Sequence, residues 1–333
     1  ICNRRCEDAC TRGTVDQAVA IDEVKRFIAQ QDLDAETRFV PEKVIPKVDG
    51  EFTEKIAIIG GGPAGMSCAY YLAEKGYRPT VFEKESRPGG MLMNGIPSFR
   101  LEKDVVEAEI DVLRQLGVEF RCGVEVGKDV TIQQLREEGY KGFYVAVGLQ
   151  SGGRLPVPGG DAAGVQAGID FMRRVNSGAD VKLTGRVVVI GGGNIAADVA
   201  RTAVRCGADS VSLYCLEAYD EMPMGEEDRA ECEREDIVVH AGFGPVEVSA
   251  ENGRAVSVTF KKCLRVKDEQ GRFAPAYDES VLQMAPCDTV LFCIGQKVAW
   301  EELLTGTQVE FNPNGTAKAD PVTYQTAEPD VFV

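Results

Sequence analysis

The sequence predicts an α/β protein in which two similar units of parallel sheet and helix follow a helical segment that carries cysteines. Two observations predict this fold. A short apolar, β-branched run is followed by a glycine-rich turn and then by helical spacing, once from Lys55 and again from Arg186. In addition, the 333 residues are enough for two such units.

The first copy reads KIAIIGGGPAGMSCAYYLAEKGYRPTVFEKE. Gly60, Gly62 and Gly65 form G-x-G-x-x-G between a strand and a helix, and Glu83 closes the next strand about 20 residues later. Glycines permit the tight bend and the close approach of a pyrophosphate to the helix N-terminus, and the carboxylate can accept the hydroxyls of a ribose. The pattern predicts a dinucleotide-binding, Rossmann-like unit.

The second copy reads RVVVIGGGNIAADVARTAVRCGADSVSLYCLE and repeats each part. Gly191 and Gly193 occupy the turn, Ala196 replaces the third glycine, and Glu217 is the terminal acid. Two further apolar strands, GFYVAVG and DTVLFCIG, end in glycine about 90 to 105 residues after their turns, which indicates an internal duplication. Two dinucleotide sites suggest two cofactors that exchange a hydride.

Composition excludes several other functions. The formal net charge of −16, without a basic stripe, argues against nucleic acid and anionic membranes as partners. No apolar run reaches the roughly 20 residues of a membrane span, and most of the 11 cysteines are scattered in apolar contexts, so we expect a cytoplasmic protein. The single histidine, His240, is expected on a strand and nearly excludes histidine-based catalysis.

Further segments resemble a known family. ESRPGGMLMNGIPSFRL, YVAVG, VPGGDAAGV, GGGNIAADVART, EMP and CDTVLFCIGQ occur in the order found in the glutamate synthase small (beta) subunit family, which lies within the pyridine nucleotide-disulfide oxidoreductase superfamily. The resemblance implies FAD on the first unit and NAD(P) on the second. The FAD residues it implies are Gly60, Gly62, Pro63, Ala64, Gly65, Glu83, Gly90, Met91, Leu92, Arg100, Val126 and Gly148. The NAD(P) residues it implies are Gly191, Gly193, Asn194, Ile195, Ala196, Asp198, Glu217 and Gly295.

One departure from the family concerns the nucleotide. NADPH-dependent relatives carry an arginine pair after the tyrosine of the second strand, whereas Tyr214 is followed here by Cys215, Leu216 and Glu217. A carboxylate accepts from a ribose diol and repels a 2′-phosphate, so we expect NADH to be preferred over NADPH. The alternative is that Glu217 merely ends a strand in solvent.

The N-terminal segment, with Cys2, Cys6 and Cys10, resembles the family segment that helps to hold 4Fe-4S clusters. Thiolates at this spacing drift by about 40° per step around a helix and supply only part of a four-cysteine set. Incidental cysteines and a zinc site are the alternatives. By the resemblance, further cysteines precede Ile1 and an FAD-contacting segment follows Val333, so we expect a chain truncated at both ends that carries no stable cluster alone.

The predicted organisation has four parts. Residues 1–40 form a helical iron–sulfur-type segment and 41–54 a linker; 55–153 with 298–333 form an FAD-binding domain whose C-terminal part is incomplete, and 154–297 form the NAD(P)-binding domain. Hydride exchange between two cofactors requires no acid or base from the protein, so we predict no catalytic side chain.

The predicted function is passage of electrons from NADH through FAD to iron–sulfur centres or to an iron–sulfur or amidotransferase-type partner subunit. Three alternatives remain: an NADPH-dependent glutamate synthase small subunit proper, a flavin reductase acting directly on a small molecule, and a non-catalytic docking subunit. A disulfide reductase is disfavoured because no closely spaced cysteine pair follows the first glycine turn.

Overall fold

The computed structural model describes residues 2, 4–46, 50 and 52–333. Parts of the predicted N-terminal segment (residues 1 and 3) and of the predicted linker (47–49 and 51) therefore lie outside the described residues. Within the described part, the helices are α1 Arg5–Asp8, α2 Ile21–Leu33, α3 Pro63–Glu74, α4 Met91–Asn94, α5 Lys103–Gln115, α6 Ile132–Glu137, α7 Gly168–Asn176, α8 Asn194–Arg205 and α9 Glu226–Arg234, with 3₁₀ helices at Thr11–Thr14 and Tyr219–Glu221.

The strands over the same part of the chain are β1 Lys55–Ile59, β2 Arg78–Glu83, β3 Glu119–Cys122, β4 Tyr140–Val145, β5 Ser151–Gly152, β6 Val165–Ala167, β7 Arg186–Ile190, β8 Ser210–Cys215, β9 Val238–Ala241, β10 Phe243–Glu251, β11 Arg254–Lys267, β12 Phe273–Pro286, β13 Thr289–Phe292, β14 Gln296–Lys297 and β15 Val331–Phe332. They fall into two compact units. Unit 1 comprises Ile1–Met93, Ser98–Gly148 and Trp300–Val333, and unit 2 comprises Asn94–Pro97 and Leu149–Ala299.

Unit 1 is built on a five-stranded parallel sheet with the order β15-β4-β1-β2-β3. Alternate residues of β1 face opposite sides: Ile58 packs with α3 and α5, whereas Ala57 and Ile59 pack with Leu303 and Leu304 from the C-terminal segment. Burial on both faces explains why β1 is a continuous apolar run rather than an alternating one.

Unit 2 is built on a second parallel sheet with the order β6-β13-β7-β8-β9. Helices α7, α8 and α9 cover one face, and the antiparallel sheet β10-β11-β12 packs on the other. His240 lies on β9, as predicted, with its ring 4.3 Å from that of Tyr214, and burial lowers its pKa.

The N-terminal segment is only partly helical. α1 contains Cys6 and ends at Asp8, whereas Cys10 is extended and precedes a 3₁₀ turn. Within the described residues, no continuous helix therefore joins Cys6 and Cys10, because α1 ends with Ala9 as its C-cap. Among the described helices, none combines the length and apolarity that a bilayer crossing requires.

Candidate dinucleotide-binding sites

The first glycine turn follows the carboxyl end of β1. Gly60 has a φ of +111°, and a Cβ there would lie 2.4 Å from the Ala146 carbonyl oxygen, so both backbone conformation and space require glycine. Its N–H donates to the Phe82 carbonyl at 2.8 Å, and the Ala146 N–H donates to the Ile59 carbonyl at 2.8 Å. These bonds extend the sheet ladder up to the turn.

The next two glycines of the motif have different roles. A Cβ at Gly65 would lie 1.9 Å from the Gly60 carbonyl oxygen, so this glycine lets α3 pack against the end of β1. Gly62 is the N-cap of α3 in an extended conformation, and its nearest neighbour to a Cβ is the Gly90 Cα at 3.8 Å. No side chain caps α3, so its first N–H groups are available to a phosphate oxygen.

Glu83 is buried at the end of β2 with its carboxylate against the glycine turn. Its Oε2 accepts from the Gly61 N–H at 2.7 Å and its Oε1 from the Glu85 N–H at 2.9 Å. Burial raises the pKa of Glu83, and the two backbone N–H groups oppose that rise. Each oxygen keeps a further lone pair, which a ribose hydroxyl could use.

The chain after Glu83 returns across the turn. The Gly89 N–H donates to the Gly61 carbonyl at 2.7 Å, and a Cβ at Gly90 would lie 2.7 Å from the Gly62 Cα. Met91 and Leu92 then begin α4, both half-buried. Sequence reasoning missed Lys103, whose Nζ donates to the Leu92 carbonyl at 2.7 Å and whose pKa burial and the charge of Arg87 lower to about 8.

The remaining predicted FAD residues differ in how the structure places them. Pro63 and Ala64 are exposed in the first turn of α3. Val126 is buried after β3, and Gly148 follows β4 with a φ of +65°, so both lie beyond carboxyl strand ends of the same parallel sheet as Gly60 and Glu83. Arg100 is half-buried in the turn before α5.

Unit 2 repeats the geometry of the first turn. Gly191 has a φ of +148°, and a Cβ there would lie 2.4 Å from the Cys293 carbonyl oxygen. Its N–H donates to the Tyr214 carbonyl at 2.8 Å, and the Cys293 N–H donates to the Ile190 carbonyl at 2.7 Å. Gly193 is the extended N-cap of α8, again without a side-chain cap. The duplication predicted from sequence is thus present in the hydrogen bonds.

The Glu217 carboxylate lies against the second glycine turn, as the Glu83 carboxylate lies against the first. The two acids are not at equivalent backbone positions, because Phe82 and Tyr214 accept the matching turn hydrogen bonds and Glu217 comes two residues later than Glu83 relative to them, beyond Cys215. A Cβ at Gly192 would lie 2.7 Å from the Glu217 Oε2, compared with 2.9 Å between a Cβ at Gly61 and the Glu83 Oε2. Glu217 is half-buried against the turn, so it does not simply end a strand in solvent. This placement makes its carboxylate available to a ribose held at the turn.

The return segment is also repeated, with different chemistry. The Met224 N–H donates to the Gly192 carbonyl at 3.0 Å, and the Asn194 Oδ1 accepts from the Gly225 N–H at 3.2 Å. In unit 1 the corresponding close approach is between the backbones of Gly62 and Gly90, whereas in unit 2 the Asn194 side chain makes the contact with Gly225. Sequence reasoning missed Met224 and Gly225, for which the motif EMP before them was the available signal.

Other predicted NAD(P) residues lie on α8 or beyond β13. Ala196 is fully buried and its N–H donates to the Gly193 carbonyl at 2.9 Å, so the methyl group fits where unit 1 needs glycine. Ile195 is 46% exposed and Asp198 is half-buried. Gly295 has a φ of +90° and open space around its Cβ position.

The three N-terminal cysteines do not form a metal site within the described residues. Cys2 and Cys6 are exposed and Cys10 is half-buried, and no group of three or more Cys, His, Asp or Glu in that part of the chain is arranged to hold a metal ion. Backbone hydrogen bonds involving Val19 and Arg12 lower the pKa of Cys10. The assignment of an iron–sulfur cluster to these cysteines therefore stays a prediction.

The two parallel sheets and the two glycine turns together define the class of protein, which is an oxidoreductase with two dinucleotide-binding units. Residues 54–333 match the model of the pyridine nucleotide-disulphide oxidoreductase family, and the chain belongs to that family. The predicted fold class, the family resemblance and the oxidoreductase class are confirmed.

Three relatives show which members of the family have sequences similar to this chain. The chain is 37% identical, over 100% of its length and 49% of the relative's, to a protein named NADP(+)-dependent formate dehydrogenase subunit beta from Moorella thermoacetica. It is 34% identical to the NAD-dependent dihydropyrimidine dehydrogenase subunit PreT of Escherichia coli O157:H7, over 98% of this chain and 71% of that one. It is 33% identical to the glutamate synthase [NADPH] small chain of Halomonas elongata, over 99% and 71%. The chain thus spans about half of the formate dehydrogenase subunit's length.

Solved structures share the fold. FprA from Mycobacterium tuberculosis superposes with a TM-score of 0.72 at 19% identity, over 84% of this chain and 78% of that one. Lactococcus lactis thioredoxin reductase superposes with a TM-score of 0.60 at 21% identity, over 84% and 89%. At these identities the likeness concerns the fold alone.

Proposed function

We propose that the chain is an electron-transfer flavoprotein subunit that oxidises NAD(P)H and passes electrons through FAD to a partner. One observation carries this proposal: the same turn, acid and return segment occur twice, at Gly60–Gly90 and at Gly191–Gly225. A protein that bound a single dinucleotide would need only one of them.

FAD is assigned to unit 1. The first-turn N–H groups of α3 would hold its pyrophosphate, Glu83 its adenosine ribose, and Gly62 would let the phosphates approach because it carries no Cβ. When bound, FAD would supply a hydride acceptor that can release electrons singly. The buried neighbours of Glu83 keep water from its carboxylate, which strengthens hydrogen bonds to it.

The nicotinamide nucleotide is assigned to unit 2. The uncapped first turn of α8 would hold its pyrophosphate and Glu217 its adenosine ribose. Because a carboxylate repels a phosphate on the same ribose, we propose that NADH is preferred over NADPH. The relatives include proteins named as NAD-dependent and others named for NADP(+) or NADPH, so the preference rests on Glu217 rather than on them.

The partner is proposed from the relatives and from the cysteines. Three relatives are named as beta or small subunits or as PreT, each a subunit of a larger enzyme by its name. We propose that electrons pass to an iron–sulfur or amidotransferase-type subunit or domain, with Cys2, Cys6 and Cys10 contributing part of a 4Fe-4S ligand set. We place this reaction in the cytoplasm.

The test is reduction of bound flavin. The chain is purified anaerobically with added FAD, and the visible flavin absorbance is followed on mixing with NADH and, separately, with NADPH. Rapid loss of absorbance with NADH, slower with NADPH, is expected. Gly193→Ala is the matched control: it should retain FAD and be reduced by dithionite, but react slowly with either nucleotide. A wild-type chain that binds FAD and reacts with neither nucleotide would contradict the proposal.

A further inference from the structure

A cavity of about 360 Å³ opens beside the end of β8 in unit 2. It lies between the chain that follows β8, the end of β9 and the carboxyl-terminal part of β11. Both sides contribute apolar side chains; the β8 side adds one acid, and the β11 side adds two cations. The residues that carry the argument are Leu216, Ala218, Glu221, Gly242, Lys262 and Arg265.

Two cations face this cavity. Lys262 and Arg265 line it from β11, and neither forms an ion pair with another described residue. Lys262 lies over Gly242, where a Cβ would come within 2.8 Å of its Nζ, and its Nζ is 4.7 Å from the centre of the Phe243 ring. By contrast Lys261, one residue earlier, is paired with Glu279 at 2.8 Å. One acid, Glu221, also lines the cavity, so the local charge of these side chains is net positive.

The cavity adjoins the acid that is assigned to the nucleotide ribose. Leu216 and Ala218, the neighbours of Glu217 in the chain, both line it, and the Glu217 carbonyl accepts from the Gly242 N–H at 2.8 Å. A ribose held by the Glu217 carboxylate would therefore have the cavity at its side. A substituent on that ribose that points away from the glycine turn would enter it.

We propose that Lys262 and Arg265 form a subsite for the 2′-phosphate of NADPH, resting on the proposed assignment of the nicotinamide nucleotide to unit 2. The phosphate carries close to two negative charges at neutral pH and accepts hydrogen bonds from ammonium and guanidinium groups. The subsite takes the place of the arginine pair that is absent after Tyr214. It lowers the discrimination that Glu217 exerts against NADPH, so the chain uses both nucleotides with NADH ahead.

Binding of nucleotide fragments tests this without flavin chemistry. The whole chain is titrated by calorimetry with 2′,5′-ADP, which carries the 2′-phosphate, and with 5′-AMP, which lacks it. Lys262→Ala and Arg265→Ala are each expected to weaken the binding of 2′,5′-ADP about tenfold, whereas the affinity for 5′-AMP should change by less than about twofold. Lys267→Ala, on the same strand outside the cavity, is the charge-matched control and should change neither.

One further variant separates charge from folding. Lys262→Arg keeps the cation and should retain 2′,5′-ADP binding. If the alanine variants weaken both ligands equally, or neither, the subsite is refuted while the nucleotide site stands. If wild-type chain binds neither fragment, the assignment of unit 2 fails together with the subsite.

Discussion

Replacing Gly62 by alanine separates what the first glycine turn does for the fold from what it does for a ligand. Gly62 has φ −79° and ψ −176°, which any residue adopts, and its Cβ would meet nothing closer than the Gly90 Cα at 3.8 Å. The free energy of unfolding of the FAD-free chain should therefore change by less than about 1 kcal/mol. A methyl group at the helix N-terminus nevertheless stands where the pyrophosphate would approach in the proposed FAD site.

We expect Gly62→Ala to weaken FAD binding at least about tenfold, or about 1.4 kcal/mol. The comparison is Gly65→Ala, whose Cβ would lie 1.9 Å from the Gly60 carbonyl oxygen and must push α3 off the end of β1. That variant should lose about 3 kcal/mol of unfolding free energy even without FAD. Urea denaturation followed by circular dichroism measures the stability, and quenching of flavin fluorescence measures the affinity.

The reasoning is refuted if Gly62→Ala binds FAD as wild type does, or if Gly65→Ala is as stable as Gly62→Ala. Gly193→Ala provides an internal control, because no atom lies within 4 Å of its Cβ position. It should leave FAD affinity unchanged and weaken only the nicotinamide nucleotide.

Three other changes have defined outcomes. Glu217→Gln should raise the KM for NADH about tenfold and that for NADPH less, in steady-state assays; an unchanged ratio of the two would count against the carboxylate as selector. The pKa of Lys103 is lowered to about 8 in the folded chain, against about 10.4 when it is unfolded. Between these two pH values the folded chain binds fewer protons than the unfolded chain, so the free energy of unfolding should rise with pH across that window. Lys103→Met should flatten that rise in urea titrations, and an equal slope in both proteins would exclude this lysine. Arg136→Ala should lose about 2 kcal/mol of unfolding free energy, measured by urea denaturation, because Glu328 and Asp330 lose hydrogen bonds of 2.6 to 2.8 Å to the guanidinium. Arg234→Ala, which removes an exposed ion pair, should lose under about 0.5 kcal/mol. Equal losses in the two variants would show that burial of the Arg136 ion pairs does not matter.

Local spacing was sufficient for the strand, turn, helix and acid of each copy. The glycine positions, the apolar runs and the spacing from each glycine turn to Glu83 or Glu217 all fall within about 30 residues, so a single sequence is enough to recognise them. The resemblance added the family, which the match of residues 54–333 confirms.

Features that depend on distant pairing were not predictable. Met224 meets Gly192 only because the chain after β8 folds back, and the basic side of the cavity comes from the antiparallel strand β11. The cysteine spacing suggested a helix, yet α1 ends at Asp8 and Cys10 is extended.

The position of β15 has a consequence for biosynthesis. This strand forms an edge of the unit 1 sheet beside β4, yet the whole body of unit 2, Leu149–Ala299, is made between the two. The ribosome therefore releases nearly all of unit 2 before β15 of unit 1 exists. Unit 2 can accordingly fold during synthesis while unit 1 still lacks the strand that pairs with β4.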